Sequence, residues 1–147
     1  MKILITLICT LVINSYSADY PSERSGKENY NFSIDTLEGY CSQTRKTKGI
    51  CTYSLGEYGV NTCVGIGTLV NDKGKINIDL ICENIDQNQQ KSWYKLYRKK
   101  TIDDSVIGVI EYFEAAEKYK FLVGKQCNYA PKFYEKNYFL FKQKCNL

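Results

Sequence analysis

The sequence predicts an all-β fold, either an antiparallel sandwich or a barrel, reinforced by disulfide bonds. The first observation is a series of about seven or eight short segments rich in β-branched and aromatic residues, closely spaced along the chain. The second is the cysteine content: seven are present, and six remain once Cys9 is removed with an N-terminal secretion signal. The third is length, because about 130 remaining residues suffice for one domain with its own core.

Residues 1–18 have the features of a signal peptide. Met1-Lys2 is short and basic, residues 3–13 are almost wholly apolar, and Ser15-Tyr16-Ser17-Ala18 offers small residues for cleavage. The apolar run is too short to span a bilayer, and no second run is long enough. We therefore expect a secreted, extracellular protein whose six remaining cysteines form disulfides: Cys41, Cys51, Cys63, Cys82, Cys127 and Cys145.

The segment that follows, residues 19–30, is polar and is predicted to be a flexible leader, so the folded domain is expected over residues 31–147. Asn31-Phe32-Ser33 is an N-glycosylation sequon, which makes Asn31 the candidate site of a glycoprotein. Residues 114–118 suit a helical turn or a hairpin end. The predicted strands cover residues 49–55, 62–70, 75–81, 92–98, 106–113, 119–127 and 137–145.

The clearest hairpin joins residues 62–70 to residues 75–81, because both segments alternate and residues 71–74 (Asn-Asp-Lys-Gly) are a strong turn signal. A bulge in the turn would set the apolar residues of the two strands opposite one another. A two-residue loop would instead set Cys63 directly opposite Cys82, which favours a bond between them. Two glycines in the first strand indicate a bulge, a bend or something packed closely against the sheet: Gly65 and Gly67.

The chain contains no histidine, and this absence excludes several kinds of site. Ser-His-Asp and Cys-His catalysis, histidine-bound zinc and a proximal-histidine haem all need imidazole. With the cysteines paired, thiolate sites are not expected, so we predict no metal and no cofactor. A carboxylate pair could support glycoside hydrolysis, but no arrangement in the sequence certifies one, and the protein is predicted not to be an enzyme. The acidic candidates are Asp103, Asp104, Glu111, Glu114 and Glu117.

The formal net charge of +4 is modest, and its basic clusters are interpreted as solvated loops. We therefore expect neither a nucleic-acid partner nor a membrane partner.

Three segments resemble lipocalin motifs. Asn31-Phe32 followed by Leu37-Glu38-Gly39-Tyr40 resembles the opening motif, in which Asn-Phe precedes Gly-x-Trp. Glu117-Lys118-Tyr119, followed by a strand to Cys127, resembles the second conserved region. The third segment, residues 137–142, resembles the last barrel strand. The chain is most similar to the divergent, cysteine-rich, triabin-like lipocalins of arthropod saliva.

This resemblance implies an up-and-down β-barrel with bonds Cys63–Cys82, Cys51–Cys145 and Cys41–Cys127, although the residues alone leave about fifteen pairings open. Cys41 stands where the motif has tryptophan, and Lys142 stands where the family has arginine. The arginine-over-tryptophan stack that closes the barrel base is thus absent or rebuilt. Another small disulfide-bonded β-sandwich and a cystatin-like α+β fold stay open as alternatives.

The resemblance also implies a monomer that sequesters a small apolar or amphipathic ligand at a host–parasite interface. An amine ligand would need carboxylates, for which the candidates are Asp79, Glu83 and Glu111. A fatty acid or eicosanoid would need a basic residue at the mouth, from Lys95, Arg98 and Lys120. The alternative is a secreted protein-binding module that inhibits a host protease or haemostatic factor. The expected cavity lining is Tyr53, Tyr58, Ile66, Trp93, Tyr112, Tyr119 and Phe121.

Overall fold

The computed structural model describes residues 22–35, 40–54, 56–70, 75–98, 107–134 and 138–147. Eight antiparallel strands form a closed barrel in which each strand pairs with the next and the last returns to the first. The predicted up-and-down barrel is confirmed, and the sandwich and cystatin-like alternatives are wrong because one continuous sheet closes on itself. The strands are β1 (Ser22–Asp35), β2 (Tyr40–Tyr53), β3 (Tyr58–Val70), β4 (Lys75–Asp86), β5 (Lys91–Arg98), β6 (Gly108–Ala115), β7 (Gln126–Tyr134) and β8 (Tyr138–Cys145).

The first strand corrects the prediction of a flexible leader over residues 19–30, because β1 begins at Ser22. The sequence of β1 is poor in strand-forming residues, so its local pattern does not predict a strand. It forms because it pairs on both sides, with β2 and with β8, and closure removes the exposed edges of the sheet. The register shifts at Asn31, whose side chain lies outside the described part of the chain. The signal segment, residues 1–18, also lies outside it.

A short 3₁₀ helix (Glu117–Leu122) precedes β7, so the strand predicted over residues 119–127 is wrong at its start. Tyr119 and Leu122 are three positions apart and are both buried, which is the spacing of one face of a helical turn. No helix in the described residues is long and apolar enough to cross a membrane.

The register between β3 and β4 decides which side chains face inward. Cys63 lies directly opposite Cys82, as the two-residue loop requires, and no bulge shifts this pairing. Ile78 and Leu80 are therefore buried, whereas Val64 and Ile66 face outward and are exposed. The expectation of a bulge that sets apolar residues opposite one another on one face is wrong. The turn itself, residues 71–74, lies outside the described residues.

Two disulfides join neighbouring strands. The Cys63–Cys82 bond is confirmed, with the two Cα atoms 4.0 Å apart. The second bond joins Cys127 to Cys145 across β7 and β8, with Cα atoms 4.1 Å apart. The implied bonds Cys51–Cys145 and Cys41–Cys127 are therefore wrong. Both remaining cysteines lie on β2, where the register sets no cysteine opposite either of them; Cys51 is buried and keeps its thiol.

One buried carboxylate, that of Asp86, connects several elements at the end of the barrel that carries the 3₁₀ helix, which we call the helix-bearing end. Asp86 accepts a hydrogen bond of 2.7 Å from the Tyr119 hydroxyl and two bonds of 2.8 Å from the backbone N–H groups of Asn88 and Gln90. Lys118 lies 3.4 Å from the same carboxylate. The end of β4, the turn after it and the 3₁₀ helix thus share one anchor.

We expect peptide mapping without reduction to recover the peptide pairs Cys63/Cys82 and Cys127/Cys145, and alkylation in denaturant to modify Cys51. Removing either bond by a pair of alanine substitutions should lower the free energy of unfolding by about 2–4 kcal/mol, measured in urea. A recovered peptide pair that contains Cys51 would contradict the assignment.

The carboxylate of Asp86 should also give the barrel an acid-sensitive end. Burial acts to raise its pKa, but the hydrogen bonds from Tyr119, from the backbone N–H groups of Gln90 and Asn88 and from Lys118 hold that pKa below its ordinary 3.8. A lowered folded-state pKa stabilises the protein above pH 3.8, and this contribution is lost as the pH falls toward and through the folded value.

Asp86→Asn should therefore show a shallower loss of unfolding free energy on acidification than the parent, measured by urea titrations at a series of acidic pH values. Asp79→Asn, on the exposed face of the same strand, is the control and should follow the parent. Equal acid dependence in Asp86→Asn and the parent would show that the hydrogen bonds to Asp86 are not the source of the acid sensitivity.

Candidate functional site

A fully buried arginine, Arg24, lies inside the barrel. We call Arg24 and the buried side chains that are hydrogen-bonded around it the Arg24 layer. The Arg24 side chain is 1% exposed; its Nη2 donates to the Tyr112 hydroxyl at 2.9 Å and its Nη1 donates to the Tyr94 hydroxyl. The guanidinium lies 4.5 Å from the ring centroid of Tyr94 and 5.3 Å from that of Phe141. No carboxylate among the described residues pairs with it, and its Nε has no hydrogen-bond partner there. The charge is stabilised by aromatic faces and neutral hydroxyls.

Arg24 makes the kind of arginine–aromatic contact that the sequence left either absent or rebuilt. Lys142, the residue expected at that place on β8, is exposed. Arg24 comes instead from β1, where it is the direct partner of Phe141 in the pairing that closes the barrel. The arginine that lies over aromatic rings in the described residues therefore belongs to β1, and the rings belong to Tyr94 and Phe141.

Neutral polar side chains surround the two tyrosines. Asn61 Nδ2 donates to the Tyr94 hydroxyl and to Asn84 Oδ1, both at 2.7 Å, and Gln143 Nε2 donates to the Tyr112 hydroxyl at 3.1 Å. Burial raises the pKa of Tyr94 by more than the nearby Arg24 lowers it, so the phenol stays protonated at neutral pH. Among the described side chains of this layer, the charged one is therefore Arg24.

An apolar cavity is lined in part by Phe141, which also contacts Arg24. The cavity volume is about 40 Å³. The ring of Phe141 packs 5.3 Å from that of Tyr129 and 5.9 Å from that of Phe139. The cavity is lined by Thr47, Cys63, Ile78, Leu80, Leu96, Tyr129, Pro131, Phe133, Phe139 and Phe141.

Tyr129, one of the residues that line this cavity, carries a buried hydroxyl. The residue is 3% exposed, and its hydroxyl has no hydrogen-bond partner among the described residues. Burial raises the pKa of Tyr129 to about 12, and the nearby guanidinium groups of Arg98 and Arg45 act in the opposite direction. Both arginines are themselves buried. The phenol is thus a neutral, buried group with two guanidinium groups nearby.

Two inward-facing glycines make room for these side chains. A Cβ at Gly108, the cross-strand partner of Tyr129, would overlap the tyrosine ring. A Cβ at Gly67 would overlap the side chain of Arg45. Of the three explanations offered for glycines in β3, close packing against the sheet is the one that the structure shows at Gly67.

None of the residues predicted to line the cavity is among the residues that line it in the structure. Tyr53, Tyr112 and Tyr119 are buried inside the barrel but belong to the Arg24 layer and the helix-bearing end, and none of them lines the cavity. The prediction is wrong for the residues on the outer surface: Tyr58 (62% exposed), Ile66 (54% exposed), Phe121 (43% exposed) and Trp93, whose indole N–H donates to Glu83 at 3.2 Å on the half-buried outer face of β5.

The charged candidates divide by strand face. Asp79 and Lys95 are exposed, as is Lys120, while Glu83 and Glu111 are half-buried at outward-facing positions. Arg98 alone among them faces inward, since β5 buries every second residue: Ser92, Tyr94, Leu96 and Arg98. The sequence shows this alternation, but it does not show which of the two alternating sets of residues faces inward.

The remaining acidic candidates are exposed or lie outside the described residues. Glu114 and Glu117 are exposed, and Glu117 pairs with Lys120 at 3.0 Å. Asp103 and Asp104 lie outside the described residues. Within the part of the chain that the structure describes, no three His, Cys, Asp or Glu side chains are placed to hold a metal ion.

The outer face of β2 to β4 carries exposed apolar side chains. Ile50 lies opposite Val60, and Val64 lies opposite Ile81, so they form two exposed apolar cross-strand pairs, with Ile66 two residues beyond Val64 on β3. Contiguous exposed apolar patches are typical of surfaces that contact another molecule.

Comparison with models of protein families, with curated proteins and with solved structures finds no match for this chain. The functional argument therefore depends on the geometry of the barrel.

Replacing Tyr94 with phenylalanine should destabilise the barrel, because the hydroxyl accepts hydrogen bonds from both Arg24 and Asn61. Leaving a buried guanidinium N–H and an amide N–H unpaired should lower the free energy of unfolding by about 2–3 kcal/mol, measured in urea. Tyr97→Phe, at the half-buried outward position of the same strand, is the matched control and should change it by less than about 0.5 kcal/mol. If the two substitutions lowered the free energy of unfolding equally, this result would contradict the hydrogen-bond network around Tyr94.

Proposed function

We propose that this chain is a secreted, lipocalin-like protein that binds and sequesters a small apolar or amphipathic ligand inside its barrel. The observation that carries the proposal is the apolar cavity between β3, β4, β5, β7 and β8. An eight-stranded barrel is just wide enough to hold one small ligand. The 3₁₀ helix covers the other end, so a ligand would enter where β7 ends and β8 begins.

The size of the cavity limits what binds without rearrangement. The cavity volume of about 40 Å³ is well below the roughly 300 Å³ of a typical small-molecule site. A ligand would therefore be short, or it would displace side chains at the mouth. Phe133 lines the cavity and is 48% exposed, which leaves its ring room to move outward.

Secretion fits the two disulfides, since such bonds persist in oxidising compartments. Under this proposal the protein acts as a monomer, is not an enzyme and works by sequestration. The setting at a host–parasite interface, in saliva, comes only from the resemblance to triabin-like lipocalins.

Filling the cavity tests the proposal. Leu80→Phe adds volume to the cavity wall, and Ile81→Phe makes the same kind of change at the next position, on the outer face. With N-phenyl-1-naphthylamine as a neutral fluorescent probe, we expect the parent and Ile81→Phe to bind alike and Leu80→Phe to bind at least about tenfold more weakly, since overpacking costs roughly 1–3 kcal/mol. Circular dichroism checks that both variants fold. No binding by the parent, or equal binding by the two variants, would contradict the proposal.

A second candidate function is recognition of a host protein, such as a protease or a haemostatic factor, through the exposed apolar face of β2 to β4. Ile66→Asp would disrupt that face and leave the affinity for the neutral probe unchanged. The two functions use opposite faces of the same strands and are therefore separable by mutation.

A further inference from the structure

We infer that the outer surface beside the barrel mouth, where β7 ends and β8 begins, docks on a lipid membrane that carries anionic head groups. This inference goes beyond the proposed function and does not depend on a ligand in the cavity. The surface spans β2, β1, β8 and β7, and we call it the mouth patch. It consists of Ile50, Leu140 and Lys132 in one row and Lys48, Tyr138 and Tyr134 in the next.

The register of four neighbouring strands makes the patch contiguous. Ser25 of β1 lies between Ile50 of β2 and Leu140 of β8. Leu140 in turn lies opposite Lys132 of β7. The second row lies two residues along each strand, so its members belong to the same outward face. Lys27 is the member of that row on β1, and its side chain lies outside the described part of the chain.

The patch exposes apolar and aromatic area that the barrel does not bury. Ile50 is 64% exposed, Tyr138 is 52% exposed and Tyr134 is 46% exposed. With the half-buried Leu140 they line a groove of about 530 Å³. Contiguous exposed apolar surface is typical of contact with another molecule. Tyrosine is enriched where membrane meets water, because its ring is apolar and its hydroxyl is polar.

Lysines border the patch and favour an anionic partner. Lys48 and Lys132 lie at opposite corners, and Lys46 lies two residues before Lys48 on the same exposed face of β2. No ion pair among the described residues includes any of the three, and Lys132 Nζ lies 5.2 Å from the ring centroid of Tyr134. Apolar surface flanked by lysine binds anionic lipid through burial and electrostatic attraction together.

Acidic residues do not occur in the three strands that supply these side chains. The sequences of β2, β7 and β8 contain neither aspartate nor glutamate. The register places two acids of β1 in other rows, since Glu23 lies opposite Lys142 and Glu28 lies opposite Thr47. We expected no membrane partner because the net charge of +4 is modest. That charge is an average over the chain, whereas the fold brings lysines together on one face.

The patch adjoins the mouth of the cavity. Tyr134 ends β7 and Tyr138 begins β8, and Phe139 lines both the groove and the cavity. Docking through the patch would therefore turn the mouth toward the bilayer. A sulfated polysaccharide would engage the lysines and leave Ile50 and Leu140 exposed, so a lipid surface fits both the charged and the apolar part of the patch.

Sedimentation with lipid vesicles tests the inference. We expect the protein to bind vesicles that contain roughly 30% phosphatidylserine at least about tenfold more tightly than vesicles of phosphatidylcholine alone, since each lysine near an anionic surface contributes about a factor of five. Equal binding to the two kinds of vesicle, or binding to neither, would overturn the inference. Retention on immobilised heparin without vesicle binding would assign the lysines to a polysaccharide instead.

A pair of tyrosine substitutions locates the contact. Tyr134→Ser with Tyr138→Ser removes both exposed rings of the patch, and we expect it to weaken binding to the phosphatidylserine vesicles by at least about tenfold. Tyr58→Ser with Phe113→Ser is the matched control, because it removes two exposed rings where β3 begins and near the end of β6. Equal effects of the two pairs, both folded by circular dichroism, would overturn the proposed location.

Single lysine substitutions test the charge. Lys48→Gln and Lys132→Gln should each weaken binding to the phosphatidylserine vesicles by about fivefold, whereas Lys95→Gln, exposed on β5, should not. If the tyrosine pair does not fold, the two lysine variants carry the test, and unchanged binding by both would overturn the inference. Neither lysine lines the cavity, so both variants should keep the affinity for N-phenyl-1-naphthylamine measured without vesicles. Failure of the parent to bind that probe would count against the proposed function and leave this inference standing.

Discussion

The pairing of β1 with β8 closes the sheet, and the interior of the protein depends on that closure. It gives β1 a partner on each side, which is why a polar segment with few strand-forming residues adopts a strand. It also places Arg24 directly beside Phe141, inside the barrel rather than on its surface. Because eight strands enclose little volume, these side chains fill one level of the interior and leave a small cavity at the next.

The described interior has two levels of different character. Around Arg24, neutral hydroxyl and amide groups form a connected network in which the charge rests on aromatic faces. Around Tyr129, the side chains border an apolar cavity, and the tyrosine hydroxyl has no hydrogen-bond partner among the described residues. The first arrangement stabilises the fold through hydrogen bonds. The second leaves the space on which the proposed ligand binding depends.

Alternation along the strands separates two surfaces. Every second residue of β3 and β4 contributes to the inside, where Cys63 is bonded to Cys82 and Leu80 lines the cavity. The residues between them, including Val64 and Ile81, form an apolar patch outside. A substitution at one position therefore affects one surface alone, and adjacent positions provide matched controls.

The sequence by itself determined the all-β class and the β3–β4 hairpin, because strand periodicity and turn residues are local properties. It left two registers open for that hairpin, and the tertiary structure selected the one that sets Cys63 opposite Cys82. Only the tertiary structure decided which face of each strand is inside, since a shift of one residue in register exchanges the two faces without changing the pattern. The same ambiguity put Ile66 in the predicted cavity and left Tyr129 out of it. Cys127–Cys145 and the cavity beside Tyr129 depend on strands that meet only when the barrel forms.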